Sequence, residues 1–259
     1  PQAPPVLDIV QSLVDKSLVR RWRPPSRHDL DEPHFGMYLS LHDYATDRLA
    51  AEGAARLDAA MDRHGRYYAG FGSDLQIDAL STHGGVARRH ALALETDNLL
   101  AACRRAASRG DGETAAHALV AAWQVLQLRG PFAVAVGLAD RLAGARPLSP
   151  STRMRLRIVH ADALRSLGRS GEAQQRLQAA IDDALVTGDR RAQATIRLRL
   201  GILASEGGDN DRARLLCRQA CDLDAELDDL LLVARARREL GIIAYGGGHM
   251  DEAHEHYGA

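Results

Sequence analysis

The sequence has few aromatic side chains, 4% of its 259 residues, and a single lysine, Lys16. The first scarcity weighs against a strand-rich core, and the alanine, leucine and arginine that dominate instead favour helix. The second excludes a P-loop. That motif needs a glycine-flanked Lys-Ser/Thr, and Lys16 stands in Val14-Asp15-Lys16-Ser17 with no glycine beside it. Cysteine is scarce too: three residues, an odd number, exclude a disulfide scaffold and suit a reducing interior. No apolar run approaches the roughly 18 residues of a membrane span, and no charged-then-apolar opening marks an export signal. A net charge of −1 argues against a general nucleic-acid or lipid-surface binder. A cytoplasmic protein without cofactor, metal or membrane association is expected.

What is present is a repeat. From about residue 151 onward, small and apolar residues recur forty positions apart. Ala161, Gly201 and Gly241 form one register, and Leu164, Ala204 and Ala244 another. Gly168, Gly208 and Gly248 follow, then Ala173, Ala213 and Ala253, then Leu177, Cys217 and Tyr257, with Ala180 matching Ala220. This reads as two antiparallel helices per unit. The glycine of Leu200-Gly201 or Leu240-Gly241 lets the second helix approach closely, and Gly208 or Gly248 stops the first by tolerating positive φ. The second helix is expected to begin near Asp211-Arg212-Ala213 or Asp251-Glu252-Ala253, with Gly188-Asp189 closing one unit and opening the next. One hairpin cannot bury its own apolar faces, so neighbours must stack into a curved solenoid.

The pattern resembles the tetratricopeptide repeat: Leu-Gly, an alanine twelve residues after that glycine, a large residue four later and an alanine three further on. The family unit has 34 residues, so a unit of 40 implies helices longer by roughly a turn and a half in total. The resemblance implies an all-α superhelix whose concave side is lined by the first helix of each unit. It is weaker over 112–148, where Trp123, Leu126, Gly130 and Ala133 fit an atypical first pair, separated from the regular ones by Pro147 and Pro150. The last unit halts at Ala259, about halfway through its second helix, and the chain opens on Pro1. Both ends are expected to be cuts in a longer polypeptide.

Residues 6–21 read as an amphipathic helix with Leu7, Val10, Leu13, Val14 and Leu18 on one face. A proline- and charge-rich loop follows, from Arg23-Pro24-Pro25 to Glu32-Pro33. Phe35-Gly36-Met37-Tyr38-Leu39 is the best strand candidate, and Ser40 is the expected N-cap of the next helix. Helix, short strand, loop, strand and helix together suggest a winged helix.

Leu7-Asp8-Ile9-Val10-Gln11-Ser12-Leu13-Val14-Asp15-Lys16-Ser17-Leu18-Val19 resembles the winged-helix segment that follows the nucleotide-binding domain of bacterial STAND-type signalling ATPases and transcriptional regulators. Met37-Tyr38-Leu39-Ser40-Leu41-His42-Asp43-Tyr44-Ala45-Thr46-Asp47-Arg48-Leu49 continues the likeness. Arg63-His64-Gly65-Arg66-Tyr67-Tyr68 and Glu95-Thr96-Asp97-Asn98-Leu99 are similar to the helical linker leading into the repeats of those proteins. The resemblance implies three parts: a winged-helix-like segment over 1–52, a helical linker over 53–110 and tetratricopeptide-like repeats over 111–259. It also implies an upstream nucleotide-binding domain. It places Tyr38 at the nucleotide-sensor position, and a shift of four residues would place His42 there instead.

Other reactive residues read as structural. Cys217 and Cys221 are one helical turn apart, but Cys217 fills the large packing slot of its repeat, and Cys103 lies in an alanine-rich helix. His249, His254 and His256 stand near Asp251, Glu252 and Glu255, yet residues two apart on a helix face different ways, so a solvated helix end is expected rather than a metal site. No Ser/His/Asp or Cys/His set, paired catalytic carboxylates or glycine-rich phosphate loop is present, and no catalytic residue is expected. Arg20, Arg21, Arg23, Arg27 and His28 form a basic stretch beside the wing that could contact phosphates, although Asp29, Asp31 and Glu32 dilute it.

The more promising site is the inner face of the solenoid. Arg155, Ile158, Asp162 and Arg165 follow helical spacing on one face; Thr195, Leu198, Ile202 and Ser205 are their counterparts, then Arg235, Arg238, Ile242 and Tyr245. Arginines around isoleucine and tyrosine suit an acidic or amphipathic peptide, though solvated helix faces carry arginine as well. Arg157, Arg197 and Arg237 also recur at forty and read as structure between repeats. The expected function is a non-catalytic sensor module of a STAND-type protein that binds a protein, peptide or small effector. The alternatives are a constitutive interaction scaffold and a DNA-binding winged helix whose repeats dimerise.

Overall fold

The computed structural model describes residues 5–23, 33–144, 148–224 and 229–258. The chain begins with α1 (Val6–Asp15), an antiparallel pair of short strands, β1 (Arg20–Trp22) and β2 (His34–Gly36), and α2 (Leu39–Ala51). Six helices follow: α3 (Ala54–Gly70), α4 (Asp74–Ala79), α5 (Gly85–Leu94), α6 (Thr96–Ser108), α7 (Gly112–Arg129) and α8 (Phe132–Ala143). The regular hairpins are α9 (Pro150–Ser166) with α10 (Ser170–Thr187), α11 (Arg190–Glu206) with α12 (Asn210–Asp224), and α13 (Leu230–Gly246) with α14 (Met250–Gly258). This is an all-α superhelix of tetratricopeptide-like repeats, with two three-residue strands as its sheet. No described helix is long and apolar enough to cross a membrane.

Local chemistry sets the period of forty. The first helix of each regular unit is N-capped by a side chain that accepts from a backbone N–H three residues on: Ser149 from Thr152, Asp189 from Ala192, Asp229 from Leu232. Each of these helices ends in one closure. The amides of Gly168, Gly208 and Gly248 bond back to the carbonyls of Arg165, Ser205 and Tyr245, and the next residue bonds to Leu164, Ala204 or Ala244. That double closure needs a left-handed residue, and the three glycines take φ of +74°, +83° and +79°. The turn from α6 to α7 is built alike, through Gly110 and Asp111.

Packing follows from small residues at the helix crossings. Ala173, Ala180, Ala213 and Ala220 are fully buried on the second helices, and Leu164 and Leu177 are closed off between α9 and α10. One apolar core runs from Leu92 to Leu203, with α3 laid against α6 and α7. A second, smaller core joins Leu198, Cys217, Ala220 and Leu240 between the last units. Each buried leucine contributes about 1.5–3 kcal/mol of transfer free energy.

The front of the chain departs from the sequence expectation in three places. The helix expected over 6–21 stops at Asp15, because Ser17 adopts φ +57° and the amides of Ser17 and Leu18 bond back to Val14 and Leu13. This is the same closure that glycine provides elsewhere, and it releases Arg20–Trp22 into a strand that pairs Arg21 with Phe35. The strand expected over 35–39 spans His34–Gly36, and the N-cap of α2 is Tyr38 rather than Ser40, which lies inside the first turn. α1 has no buried residue. The proline-rich loop with Arg27 and His28 lies outside the described residues, as do Pro147, Pro1 and Ala259.

Candidate docking groove

The first helices α9, α11 and α13 line one face, with α7 beneath and α4 along one edge. Between them lie two contiguous cavities of about 630 and 240 Å³ that share Trp123, Gln127, Asp162, Leu198, Arg199 and Arg235. Helical spacing brings these side chains together. Leu198 and Ile202 project from consecutive turns of α11, and Asp162 stands across from them on α9. Trp123 of α7 is 3% exposed and is stacked edge-on against Phe132, their ring centres 6.2 Å apart.

Arginines are prominent in the walls, and most are engaged. Arg199 Nε donates to Asp162 at 2.9 and 3.1 Å, and Arg165 pairs with Glu206 at 2.6 Å, each linking α9 to α11. Arg155 donates to the carbonyl of Gly72 and lies 3.3 Å from Asp74. Arg191 bridges Asp78 and Asp229, both at 2.8 Å, and the hydrogen bonds to Asp78 and then Asp229 raise its pKa further. Arg89 donates to the carbonyl of Gln124. Arg235 differs: desolvation lowers its pKa, the guanidiniums of Arg199, Arg238 and Arg89 add to the shift, and Asp229 opposes it. It remains charged, in a crowd of like charge.

Of the twelve positions nominated on the concave face, nine line these cavities: Arg155, Ile158, Asp162, Arg165, Thr195, Leu198, Ile202, Arg235 and Arg238. Ser205, Ile242 and Tyr245 do not. Ser205 sits at the end of α11, where its carbonyl accepts from Gly208 in the turn. Tyr245 is exposed, about two turns beyond Arg238 toward the end of α13. Arg157 does not join repeats: it ties α9 to α10 within one unit, through the Ala179 carbonyl at 2.7 Å and Asp183 at 2.5 Å. Arg197 donates to the Gln193 carbonyl of its own helix, its one side-chain hydrogen bond among the described residues. Sequence spacing missed Trp123, Arg199 and Arg191 as groove residues, and it missed the aspartates of α4, Asp74 and Asp78. The sole signal for the aspartates was their separation by one helical turn.

The remaining candidates lie away from this groove. Tyr38 and His42 occupy the first turn of α2, where Tyr38 lies under the Arg20 guanidinium at 5.3 Å and His42 Nδ1 is 3.4 Å from Asp43. Arg20, Arg21 and Trp22 are exposed on β1. Cys103 and Cys217 are fully buried, and desolvation pushes both thiols up to about 12, far from the thiolate a nucleophile needs. His256 lies 3.8 Å from Glu252, and no three potential ligands gather among the described residues.

No family model and no curated protein matches the chain. Among solved structures, BtubC (BKLC) from P. vanneervenii is similar over 65% of this chain and 72% of its own, with 18% identity and a TM-score of 0.51. MamA is similar over 60% of this chain and 90% of its own, at 16% identity and a TM-score of 0.42. The apo form of RapI covers 96% and 68%, at 10% identity and a TM-score of 0.40. The first likeness supports the helical-repeat fold, and the other two, with lower scores, add no argument.

Proposed function

We propose that this chain is a non-catalytic docking module that captures a segment of a partner protein in the groove of α9, α11 and α13. The observation that carries this reading is the meeting of an apolar floor, half-buried Ile202 backed by the buried Leu198 and Trp123, with the guanidiniums of Arg199, Arg235 and Arg238. Apolar area supplies the attraction, while charge-assisted bonds set register and selectivity. Burying two or three side chains on such a floor contributes several kcal/mol before association entropy is subtracted, enough for a micromolar complex.

The likeness at the front of the chain extends the proposal. Residues 1–52 are read as a winged-helix-like hinge, 53–110 as a linker and 111–259 as the sensor repeats of a STAND-type signalling ATPase. Capture of the partner would then need to favour the open state of the parent protein by a few kcal/mol. Tyr38 and His42, exposed on one turn of α2, are the positions from which the head would sense nucleotide.

Affinity capture with the full chain tests the groove. Proteins held by the wild type should be lost with Arg235→Glu/Arg238→Glu and retained with Tyr245→Ala, which lies outside the cavities. An identical captured set for all three would refute the groove as the docking site.

A further inference from the structure

The groove already holds something. Between Gly72 and Gly85 the chain makes a strap along one edge of it, with α4 at its centre. One end is pressed against the rest of the fold, where a Cβ on Gly72 would meet the His117 carbonyl oxygen of α7 at 2.0 Å; at the other end the strap turns tightly on itself, and a Cβ on Gly85 would meet the carbonyl oxygen of Leu80 at 2.2 Å. In the middle the grip is lighter. Ile77 and Leu80 pack on the core, while Asp74 and Asp78, 80% and 48% exposed, pair with Arg155 and Arg191. The Asp78–Arg191 pair is exposed on both sides, and such pairs contribute little to stability. Arg155 is only 14% exposed but keeps its bond to the Gly72 carbonyl when Asp74 leaves, so the middle can be displaced at modest cost.

The strap shows what chemistry the groove accepts: one helical turn, carboxylates at its two ends, an aliphatic residue between them. Beyond it the same surface continues with cations that have no such partner. Neither Arg235 nor Arg238 forms an ion pair among the described residues; desolvation and the guanidiniums of Arg199, Arg238 and Arg89 disfavour charge on Arg235, and the attraction of Asp229 offsets them only in part. A ligand with more negative charge than the strap would therefore gain contacts that the strap leaves unmade.

Resting on the reading of this groove as a docking surface, we propose that its partner is an acidic protein segment with two carboxylates one helical turn apart around an aliphatic residue. Residues 73–83 are its tethered internal competitor. The partner's carboxylates take Arg191 and Arg155 as Asp78 and Asp74 leave, and further acidic residues reach Arg235 and Arg238. A tethered competitor acts at an effective concentration on the order of millimolar, so the strap sets a threshold that weak acidic segments do not pass.

The test uses the full chain and a fluorescein-labelled peptide copying residues 72–81, with a twin in which both aspartates are asparagine. The chain carrying Asp74→Asn/Asp78→Asn should bind the acidic probe at least tenfold more tightly than the wild type. Adding Arg191→Glu should remove that gain, and the twin should bind neither form. On the unmutated chain, saturating probe should speed amide hydrogen exchange over 74–80. Equal affinity of wild type and opened variant, equal binding of probe and twin, or no binding to the opened variant would each overturn the competitor. Such a failure leaves the docking surface standing, because that reading is judged by the capture experiment with Arg235→Glu/Arg238→Glu.

Discussion

Gly201 stands so close to Cys217 that a Cβ added to it would lie 2.8 Å from the thiol sulfur and 3.3 Å from the Ala213 carbonyl oxygen. Forty residues on, a Cβ on Gly241 would lie 2.6 Å from Cε1 of Tyr257. The two contacts look alike but differ in what can move. Cys217 is short and fully buried, whereas the Tyr257 ring is 54% exposed and free to swing outward. Helix propensity rewards Gly→Ala by about 0.5–1 kcal/mol in either place. Overpacking of about 1–3 kcal/mol outweighs that gain at 201 and not at 241. Gly201→Ala is therefore expected to destabilise by about 1 kcal/mol and Gly241→Ala to be neutral or better, as read by urea unfolding midpoints. Equal losses would mean that the ring is held as firmly as the thiol.

Asp183 is the buried carboxylate of the first regular hairpin, 4% exposed, taking Arg153 at 2.6 Å and Arg157 at 2.5 Å. Removing one partner from a fully buried pair costs about 3–5 kcal/mol. Here the two guanidiniums are 38% and 31% exposed and can turn to water, so Asp183→Ala is expected to cost about 2 kcal/mol. Arg153→Ala and Arg157→Ala should each cost less, since either leaves the carboxylate one partner, and the double variant should exceed their sum. Strict additivity in thermal unfolding would show that the two arginines act independently.

His160 is 3% exposed, and burial holds its pKa below the usual value of 6.5, against the weaker opposing pull of Asp140 at 3.3 Å. Arg176 and Arg169 add to the lowering and Glu172 opposes it. Burial lowers His117 and His64 in the same direction. Below pH 6.5 the unfolded chain therefore binds protons that the folded chain refuses, and stability falls as pH drops toward the folded pKa values. Glu113 and Asp229, whose pKa values are lowered, contribute their loss further down, below the usual carboxylate range. Melting temperature should decline between pH 7.5 and 5.5, and His160→Gln should flatten part of that slope. An unchanged slope in the variant would assign the decline to the other histidines.

The repeats were legible because their geometry demands particular residues at fixed intervals: a glycine at the turn, as at 208 and 248, and a small residue at the crossing, as at 201 and 241. The same logic failed at Ser17, which performs a glycine's task with a side chain, so the amphipathic period ran on past the true end of α1. Nine of the twelve inner-face positions line the cavities because helical spacing is a local property. What occupies them is not local. Arg155 is held by Gly72 and Asp74, and Arg191 by Asp78, from a segment more than eighty residues away in sequence. No periodicity connects α4 to α11.

Arg235 offers a test that separates a surface kept for binding from one kept for folding. It has no ion-pair partner among the described residues; Arg199, Arg238 and Arg89 repel its charge and Asp229 attracts it, with the balance against the charged form. Like charges near the solvent-facing mouth of a groove cost a few tenths of a kcal/mol, screened over about 8–10 Å at ordinary ionic strength. Arg235→Gln keeps most of the volume and removes the charge, so it should stabilise the chain slightly, by about 0.5 kcal/mol in low salt. The gain should shrink as salt is added, because screening weakens the repulsion it relieves. The same substitution should weaken capture of an acidic partner. A more stable protein that binds less well is what a cation retained for recognition predicts. A variant less stable at every salt concentration would instead make Arg235 part of the scaffold.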